Sequence, residues 1–362
     1  MYKIFIFIIV YYLLCFLFLN YIYFYKFKKY YKKIKYKEKE TGKEIDIQDK
    51  YAYLVPKDNL NYFSFVIIGL LLFPIRFLLM NCALNFLKIH LKILKYLYKN
   101  HETNENQRLK FEKAVYFWLS IYFFSNNIST EKKEIKYETV YKKYLGEDYD
   151  FSQNNFSAYI SNHISILDLP IFARDYGTTF LLNVESMRNP LIGALLEFGN
   201  FPVKLQSEES RKKALDFIVK RQNDFYHKKS CIKTLNFPEG HCTNGKYIIN
   251  FKKGVFISLL PIKPLIILSP DEYPSYTNKA FYIFRIMTTF KIKIIYAELP
   301  VIKPTNYMFE KYQYLGKEKW EIFANVVNNI YSEVGGFKQI SVSKKDFKLY
   351  NKIVEDGFYI DK

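Results

Sequence analysis

An imidazole and a carboxylate five positions apart are the residues most able to do chemistry here, in Ser161-Asn162-His163-Ile164-Ser165-Ile166-Leu167-Asp168. An apolar run ends at Ser161 and an amphipathic one begins near Ser165. His163 is therefore expected at the end of a strand and Asp168 in the first turn of a helix. From there the carboxylate reaches one ring nitrogen, fixing the tautomer and supporting an imidazolium. The other nitrogen is left to take a proton from a hydroxyl. A helix N-terminus close by favours negative charge. The pair includes no nucleophilic serine, so it suits a substrate that brings its own hydroxyl. The same residues have a plainer use: Ser165-x-x-Asp168 is also a capping box, in which Asp168 only closes the start of a helix.

A second cluster lies downstream, Asn236-Phe237-Pro238-Glu239-Gly240-His241-Cys242-Thr243-Asn244-Gly245. A strand that ends in Pro-Glu-Gly presents a carboxylate and exposed backbone N–H groups in one turn. Phe251-Lys252-Lys253-Gly254 follows, then Leu260-Pro261-Ile262-Lys263-Pro264-Leu265. Cys242 beside Glu239 invites a nucleophile role, but nothing marks it as a thiolate of low pKa.

These residues need a scaffold, and the pattern from Phe151 onward supplies one. Strands are expected at Phe156–Ser161, Thr178–Val184, Phe201–Leu205, Cys231–Phe237, Pro264–Leu268 and Ile292–Leu299. Helices are expected at Ile166–Asp175, Glu185–Phe198, Glu208–Phe225 and Trp320–Ser332. The alternation predicts an α/β fold, a mixed sheet covered by helices.

The chain ahead of that region is apolar in a different way. Ile4–Tyr25 is 22 residues without a charge, as a helix about 33 Å and long enough to cross a bilayer. Lys26–Lys39 follows with eight Lys and one Glu. Lysines just beyond a span mark the cytosolic side and draw anionic headgroups. The alternative is a cleaved signal peptide, disfavoured by the long apolar core and by the lack of a small-residue cleavage site. Asn61–Leu87 is apolar too, but interrupted by Pro74 and Arg76. It fits either a broken or re-entrant helix pair in one leaflet or one kinked membrane helix. Ala114–Phe124 is too short to span and reads as an interfacial or core helix. The expected division is a transmembrane helix at 1–25, a basic linker at 26–57, membrane-associated helices at 58–130, the α/β domain at 131–305 and a helical extension at 306–362.

Composition narrows the class. The 54 Lys and Arg against 35 Asp and Glu give a net charge of +19, and 50% of the residues are hydrophobic. That excludes a disordered chain. Four Cys without paired spacing exclude a disulfide scaffold. A basic surplus suits nucleic acid or a membrane surface. No finger, RNP or helix-turn-helix signature is present, so the apolar N-terminal segment decides for the membrane. Five His without a C-x2-C or an H-E-x-x-H give no zinc pattern. No G-x-S-x-G or Walker sequence occurs.

In this order the His163–Asp168 block, Phe237-Pro238-Glu239-Gly240 and the proline run Leu260–Leu265 resemble the membrane glycerolipid acyltransferases, the family of lysophospholipid and glycerol-phosphate acyltransferases. Phe73-Pro74-Ile75-Arg76, and Cys242-Thr243-Asn244 with Phe251-Lys252-Lys253-Gly254, look like the lysophosphatidylcholine and lysophosphatidylethanolamine branch or the related microsomal glycerol-phosphate branch. The resemblance runs from about Asn61 to Pro304. It implies an acyl-CoA-dependent O-acyltransferase that esterifies the free hydroxyl of a lysophospholipid, with acyl-CoA as co-substrate and neither a cofactor nor a metal. His163 would be the general base and Asp168 its orienting partner. Glu239, Gly240 and Thr243 would position the acceptor, and backbone N–H groups near the turns would stabilise an oxyanion. The family's second block ends in an Arg that holds the acceptor phosphate; here that position falls on Leu205. The adjacent Lys204 supplies a point charge rather than a fork. Lys246, Lys252 and Lys253 are candidates for the CoA phosphates, and equally for a solvated patch. The resemblance further implies a lipid membrane as partner, no nucleic acid, and residence in the endoplasmic reticulum with the catalytic domain facing the cytosol. Glycerol 3-phosphate or lysophosphatidic acid is the alternative acceptor. A catalytically inactive lipid-binding relative is the alternative to an enzyme.

Overall fold

A computed structural model describes residues 2–27, 35–37, 44–46, 52, 54, 61–184, 190–199, 201–203, 207–268, 285–342, 346 and 350. A short antiparallel pair near the N-terminus, β1 (Lys35–Lys37) and β2 (Glu44–Asp46), stands apart from the rest. The α/β expectation holds for the body of the chain. Its centre is a seven-stranded sheet built from β3 (Ile128–Lys132), β4 (Ala158–Ser161), β5 (Thr179–Asn183), β6 (Phe201–Val203), β7 (Thr234–Asn236), β9 (Ile262–Leu268) and β10 (Ile292–Glu298). The spatial order is β3-β10-β9-β4-β7-β5-β6. From β9 through β6 the strands run parallel; β10 is antiparallel to β9 and takes β3 parallel to itself at the edge. Two further strands, β8 (Tyr247–Ile249) and β11 (Lys338–Ile340), pair in parallel beside it.

The central strands are buried on both faces, as parallel strands under helices must be. Ala158 and Ile160 of β4 enter one core cluster and Tyr159 the other. β9 repeats the two-residue period: Ile262 and Ile266 face one way, Leu265 and Ile267 the other. The first face packs against α4 (Glu138–Leu145) and α9 (Lys319–Gly335), the latter preceded in the chain by α6 (Pro190–Ala194), α7 (Glu208–Tyr226) and α8 (Asn306–Lys311). α9 is the helix expected as an extension beyond residue 305, and it is part of the domain core. Its Tyr331 hydroxyl donates to the carbonyls of Ile160 (2.9 Å) and Leu265 (3.2 Å).

The opposite face is covered by α2 (Tyr62–Leu97), α3 (Glu105–Ser125) and α5 (Asp168–Tyr176). α2 is one continuous 36-residue helix with Pro74 inside it, so the broken pair does not form. Proline removes one helical hydrogen bond, and neighbours hold the helix through that stretch. A Cβ on Gly69 would lie 2.8 Å from Leu19 Cδ1 of α1 (Tyr2–Tyr21), so the two helices touch nearly backbone to side chain. Arg76 is buried and donates to the carbonyls of Met287 (2.9 Å), Thr289 and Phe290 (3.1 Å), just past a helical turn at 285–288. A cation at a helix C-terminus is favourably placed.

α3 begins nine residues before the expected Ala114, because Asn104 accepts from the Gln107 N–H as its cap and Glu105 follows in the first turn. It packs along α2, with Trp118 stacked on Phe86 at 5.3 Å and donating to His90 Nδ1. Phe65–Leu97 is long and apolar enough to cross a membrane. It exposes Ile67, Leu71, Ile75 and Leu78, as α1 exposes Leu13, Leu14 and Leu17. Among the described residues the N-terminal apolar helix counts the shorter stretch Ile9–Tyr25. Most of the expected basic linker lies outside the described residues.

Candidate active site

The chain leaves the sheet at the end of β4, and one buried side chain fixes where. Asn162 Nδ2 donates to the Ile267 carbonyl (3.0 Å), and its Oδ1 accepts from the Ile267 N–H (2.8 Å). The amide mimics a strand partner and ties the β4 terminus to β9. His163 follows immediately. Its side chain is 17% exposed and that of Asp168 is 0%.

Asp168 opens α5 and does both of the jobs expected of it. Its Oδ2 accepts from His163 Nδ1 at 2.7 Å, from the Ile164 N–H at 2.7 Å and from the Ser165 N–H at 3.0 Å. The loop between strand and helix is thus wrapped around one carboxylate oxygen, which cannot leave the imidazole without unbonding the backbone. With Nδ1 facing a carboxylate, the neutral ring carries its proton there, and Nε2 is the basic nitrogen. Ser165 Oγ accepts from the Leu167 N–H at 3.0 Å.

The second cluster closes over the first. Phe237–Gly240 forms a turn, with the Gly240 N–H donating to the Phe237 carbonyl at 3.0 Å. The Phe237 ring stacks on the His163 ring at 4.2 Å between centroids, and Phe180 lies behind it at 6.1 Å. Glu239 is fully buried. Its Oε1 accepts from the His163 N–H (2.7 Å) and its Oε2 from the Ile249 N–H (2.9 Å). The Thr243 N–H donates to the His163 carbonyl at 2.8 Å. The peptide groups on both sides of the base are therefore held by this one loop. Thr243 itself is buried, its hydroxyl donating to the Tyr247 carbonyl and accepting from the Gly245 N–H. Gly240 is exposed with φ +71°, a conformation that favours glycine.

Charge in this cluster follows burial and neighbours. Burial opposes a charge on His163, but Cys242 and the Asp168 carboxylate outweigh it and hold the imidazole up at about 10. Burial pushes the Glu239 carboxyl up to about 8, against the Ile249 and His163 N–H donors that favour its anion.

Of the six residues singled out from sequence, the fold brings five together: His163, Asp168, Glu239, Gly240 and Thr243. Lys204, with Leu205, lies outside the described residues. Glu239 and Thr243 were expected to position the acceptor, yet both are buried with their oxygens on backbone groups. They shape the loop rather than face an incoming molecule. Two contributors went unassigned in the sequence, the Asn162 clamp and the Phe237 stacking face. Both stand beside the motif residues, and adjacency to His163 and to Pro238-Glu239 was the available signal.

Comparison with known proteins bears on what this constellation is. Residues 148–268 match the Acyltransferase family model. Over 129 residues the chain is 34% identical to lysophospholipid acyltransferase LPCAT4 of Xenopus tropicalis, covering 34% of this chain and 24% of that protein. It is 28% identical to lysophosphatidylcholine acyltransferase 2 of Homo sapiens over 233 residues, 57% of this chain and 40% of that one. The chain thus spans less than half the length of these relatives. The crystal structure of the 1-acyl-sn-glycerophosphate acyltransferase PlsC from Thermotoga maritima aligns with a TM-score of 0.43 at 14% identity, over 71% of this chain and 94% of that one. The His163 loop thus lies inside a segment that matches the Acyltransferase family, and the relatives that resemble the chain over part of their length are lysophospholipid acyltransferases.

Proposed function

We propose that the chain transfers an acyl group from acyl-CoA to the free hydroxyl of a lysophospholipid at a membrane surface. The observation that carries this reading is the 2.7 Å contact between His163 Nδ1 and Asp168 on a ring still partly open to solvent. Nε2 takes the proton of the acceptor hydroxyl as its oxygen attacks the thioester carbonyl. The tetrahedral adduct collapses with cleavage of the C–S bond, and the imidazolium returns the proton to the departing CoA sulfur. One base suffices because the acceptor is its own nucleophile. Backbone N–H groups of the Glu239 loop are the candidates to meet the oxyanion.

Membrane attachment supports the reading from another side. α2 is long and apolar enough to span, and both a lysolipid and an acyl chain partition into a leaflet. Each CH2 withdrawn into water would cost about 0.8 kcal/mol. We place the protein in the endoplasmic reticulum membrane with the catalytic half in the cytosol.

The test is a matrix of acyl-CoA donors against acceptors on purified protein in nanodiscs, read as CoA release. Turnover on lysophosphatidylcholine or lysophosphatidylethanolamine is expected. Preference for glycerol 3-phosphate or lysophosphatidic acid would move the acceptor assignment. Background release with every acceptor would make the chain an inactive relative.

Two further outcomes follow from the site. Asp168→Asn is expected to cut turnover about 10²-fold or more. Its amide oxygen can replace Oδ2 toward the three donors, so geometry survives while the charge is lost. Wild-type turnover in that variant would reduce Asp168 to a cap.

A base works when deprotonated, and a raised imidazole displaces the acid limb of the rate profile upward, into the window between 6.5 and about 10. Turnover should therefore rise through neutral pH toward the alkaline side. The same shift stabilises the fold below 6.5 and ceases to do so as pH climbs through about 10. Glu239 adds to the decline between 4.5 and about 8, because its folded form also holds the proton more tightly. Turnover and thermal stability measured across pH should thus run in opposite directions. A rate limb below 6.5 would contradict the raised imidazole.

A further inference from the structure

Three lysines follow the Glu239 turn, and the fold sends them to different places. Lys253 Nζ lies over the Trp320 ring of α9, 5.3 Å from its centroid. Lys246 is exposed ahead of β8; its N–H is bound by Asn244 Oδ1, and its carbonyl accepts from the Lys338 N–H. Lys252 is brought back to the catalytic loop. Its N–H donates to the Pro238 carbonyl at 3.0 Å, and its side chain is exposed and folds over the turn. Nζ stands 2.5 Å from the point a Cβ on Gly240 would occupy. Glycine at 240 thus serves two needs, a positive φ and space for an ammonium group. The turn beneath that ammonium carries the ring stacked on His163 and the carboxylate that holds the His163 N–H.

We propose that Lys252 is the cation that receives a substrate phosphate at this site. The proposal rests on the acyl-transfer reading and names one contact within it. Both substrates carry phosphate: the acceptor has a phosphodiester a few bonds from its reacting hydroxyl, and CoA has a diphosphate and a monophosphate. The shared chemistry is a phosphate oxygen against a primary ammonium, a charge-assisted hydrogen bond. A compact ammonium takes phosphate oxygens from several directions, so it constrains what lies beyond the phosphate less than a guanidinium fork does.

The test uses equilibrium binding to the full-length protein in nanodiscs, for wild type, Lys252→Ala and Lys252→Arg. The probes form two matched pairs. Lysophosphatidylcholine is set against the monoacylglycerol of the same chain, which lacks the phosphate, and CoA is set against pantetheine, which lacks it too. Lys252→Ala is expected to weaken the phosphate-bearing member of one pair roughly tenfold and leave its phosphate-free partner unchanged. Lys252→Arg is expected to recover most of the loss. Loss confined to the lysolipid pair identifies the acceptor phosphate, and loss confined to the CoA pair identifies the donor phosphates. Equal weakening within a pair would mean Lys252 only supports the loop, and no change in any probe would mean it meets no phosphate; either result overturns the proposal. Because the readout is binding, it stands apart from turnover. A protein that releases no CoA yet shows the selective loss would retire the acyl-transfer reading and keep the phosphate contact.

Discussion

His163→Ala is expected to lower CoA release by about 10³-fold or more, while the protein is still recovered in the membrane fraction and unfolds near the wild-type temperature. The size of the effect follows from the absence of a stand-in. Asp168 and Glu239 are the carboxylates hydrogen-bonded to His163, and both are fully buried. Asp168 Oδ2 is engaged by the backbone N–H groups of Ile164 and Ser165, and both Glu239 oxygens are held by backbone N–H groups. Neither can turn outward to take a proton from an alcohol. The fold loses less than the chemistry, since the ring contributes one stacking face against Phe237 and the helix long and apolar enough to cross a membrane lies elsewhere in the chain. Turnover within tenfold of wild type would remove His163 as the base.

Glu239→Ala should be the most damaging change to stability in the site. Truncation leaves the His163 and Ile249 N–H groups without an acceptor in a buried place. At about 1–3 kcal/mol for each of the two orphaned groups, the loss is about 2–6 kcal/mol, a large share of the roughly 5–15 kcal/mol that holds a domain together. Glu239→Gln should recover only part of it. A glutamine offers one oxygen, and its amide N–H2 would face the second N–H. Thermal unfolding and turnover measured on both variants check this, with stability and activity expected to fall together. An unchanged Tm with a raised KM for the acceptor alone would instead return Glu239 to direct contact with substrate.

Strands with apolar residues in an unbroken run were legible in sequence to within a few residues, as at Ile292–Leu299 against the observed Ile292–Glu298. Burial on both faces selects such runs and little else does. The short edge strand Ile128–Lys132 was not legible, because Ser-Thr-Glu-Lys carries no pattern and only its pairing with β10 makes it a strand. Pro74 misled in one of the two readings given to it: local chemistry argues for a break, and the tertiary contacts of Gly69 and Arg76 carry the helix through. At the site, residue types and order located the loop, but not which atoms face outward. Glu239 looks like a ligand-binding carboxylate in sequence and proves to be an internal acceptor. Three lysines look alike in Phe251–Gly254 and before it, and only the path of the turn singles out Lys252. Such distinctions depend on hydrogen bonds beyond the local segment, His163 to Glu239 across 76 residues and Lys252 to Pro238 across 14, which no local spacing encodes.

The guanidinium of Arg76 adds a polar tie between the apolar helix and the sheet with which it shares a core. It sits partway along the apolar helix and grips peptide oxygens at the threshold of β10. Helix and sheet are therefore mechanically one lever. If the proposed membrane attachment holds, a leaflet thinner or thicker than the helix prefers would make it lean, and that lean would pull on the edge of the sheet. Bilayer thickness would then set the height at which the proposed acceptor alcohol has to be presented.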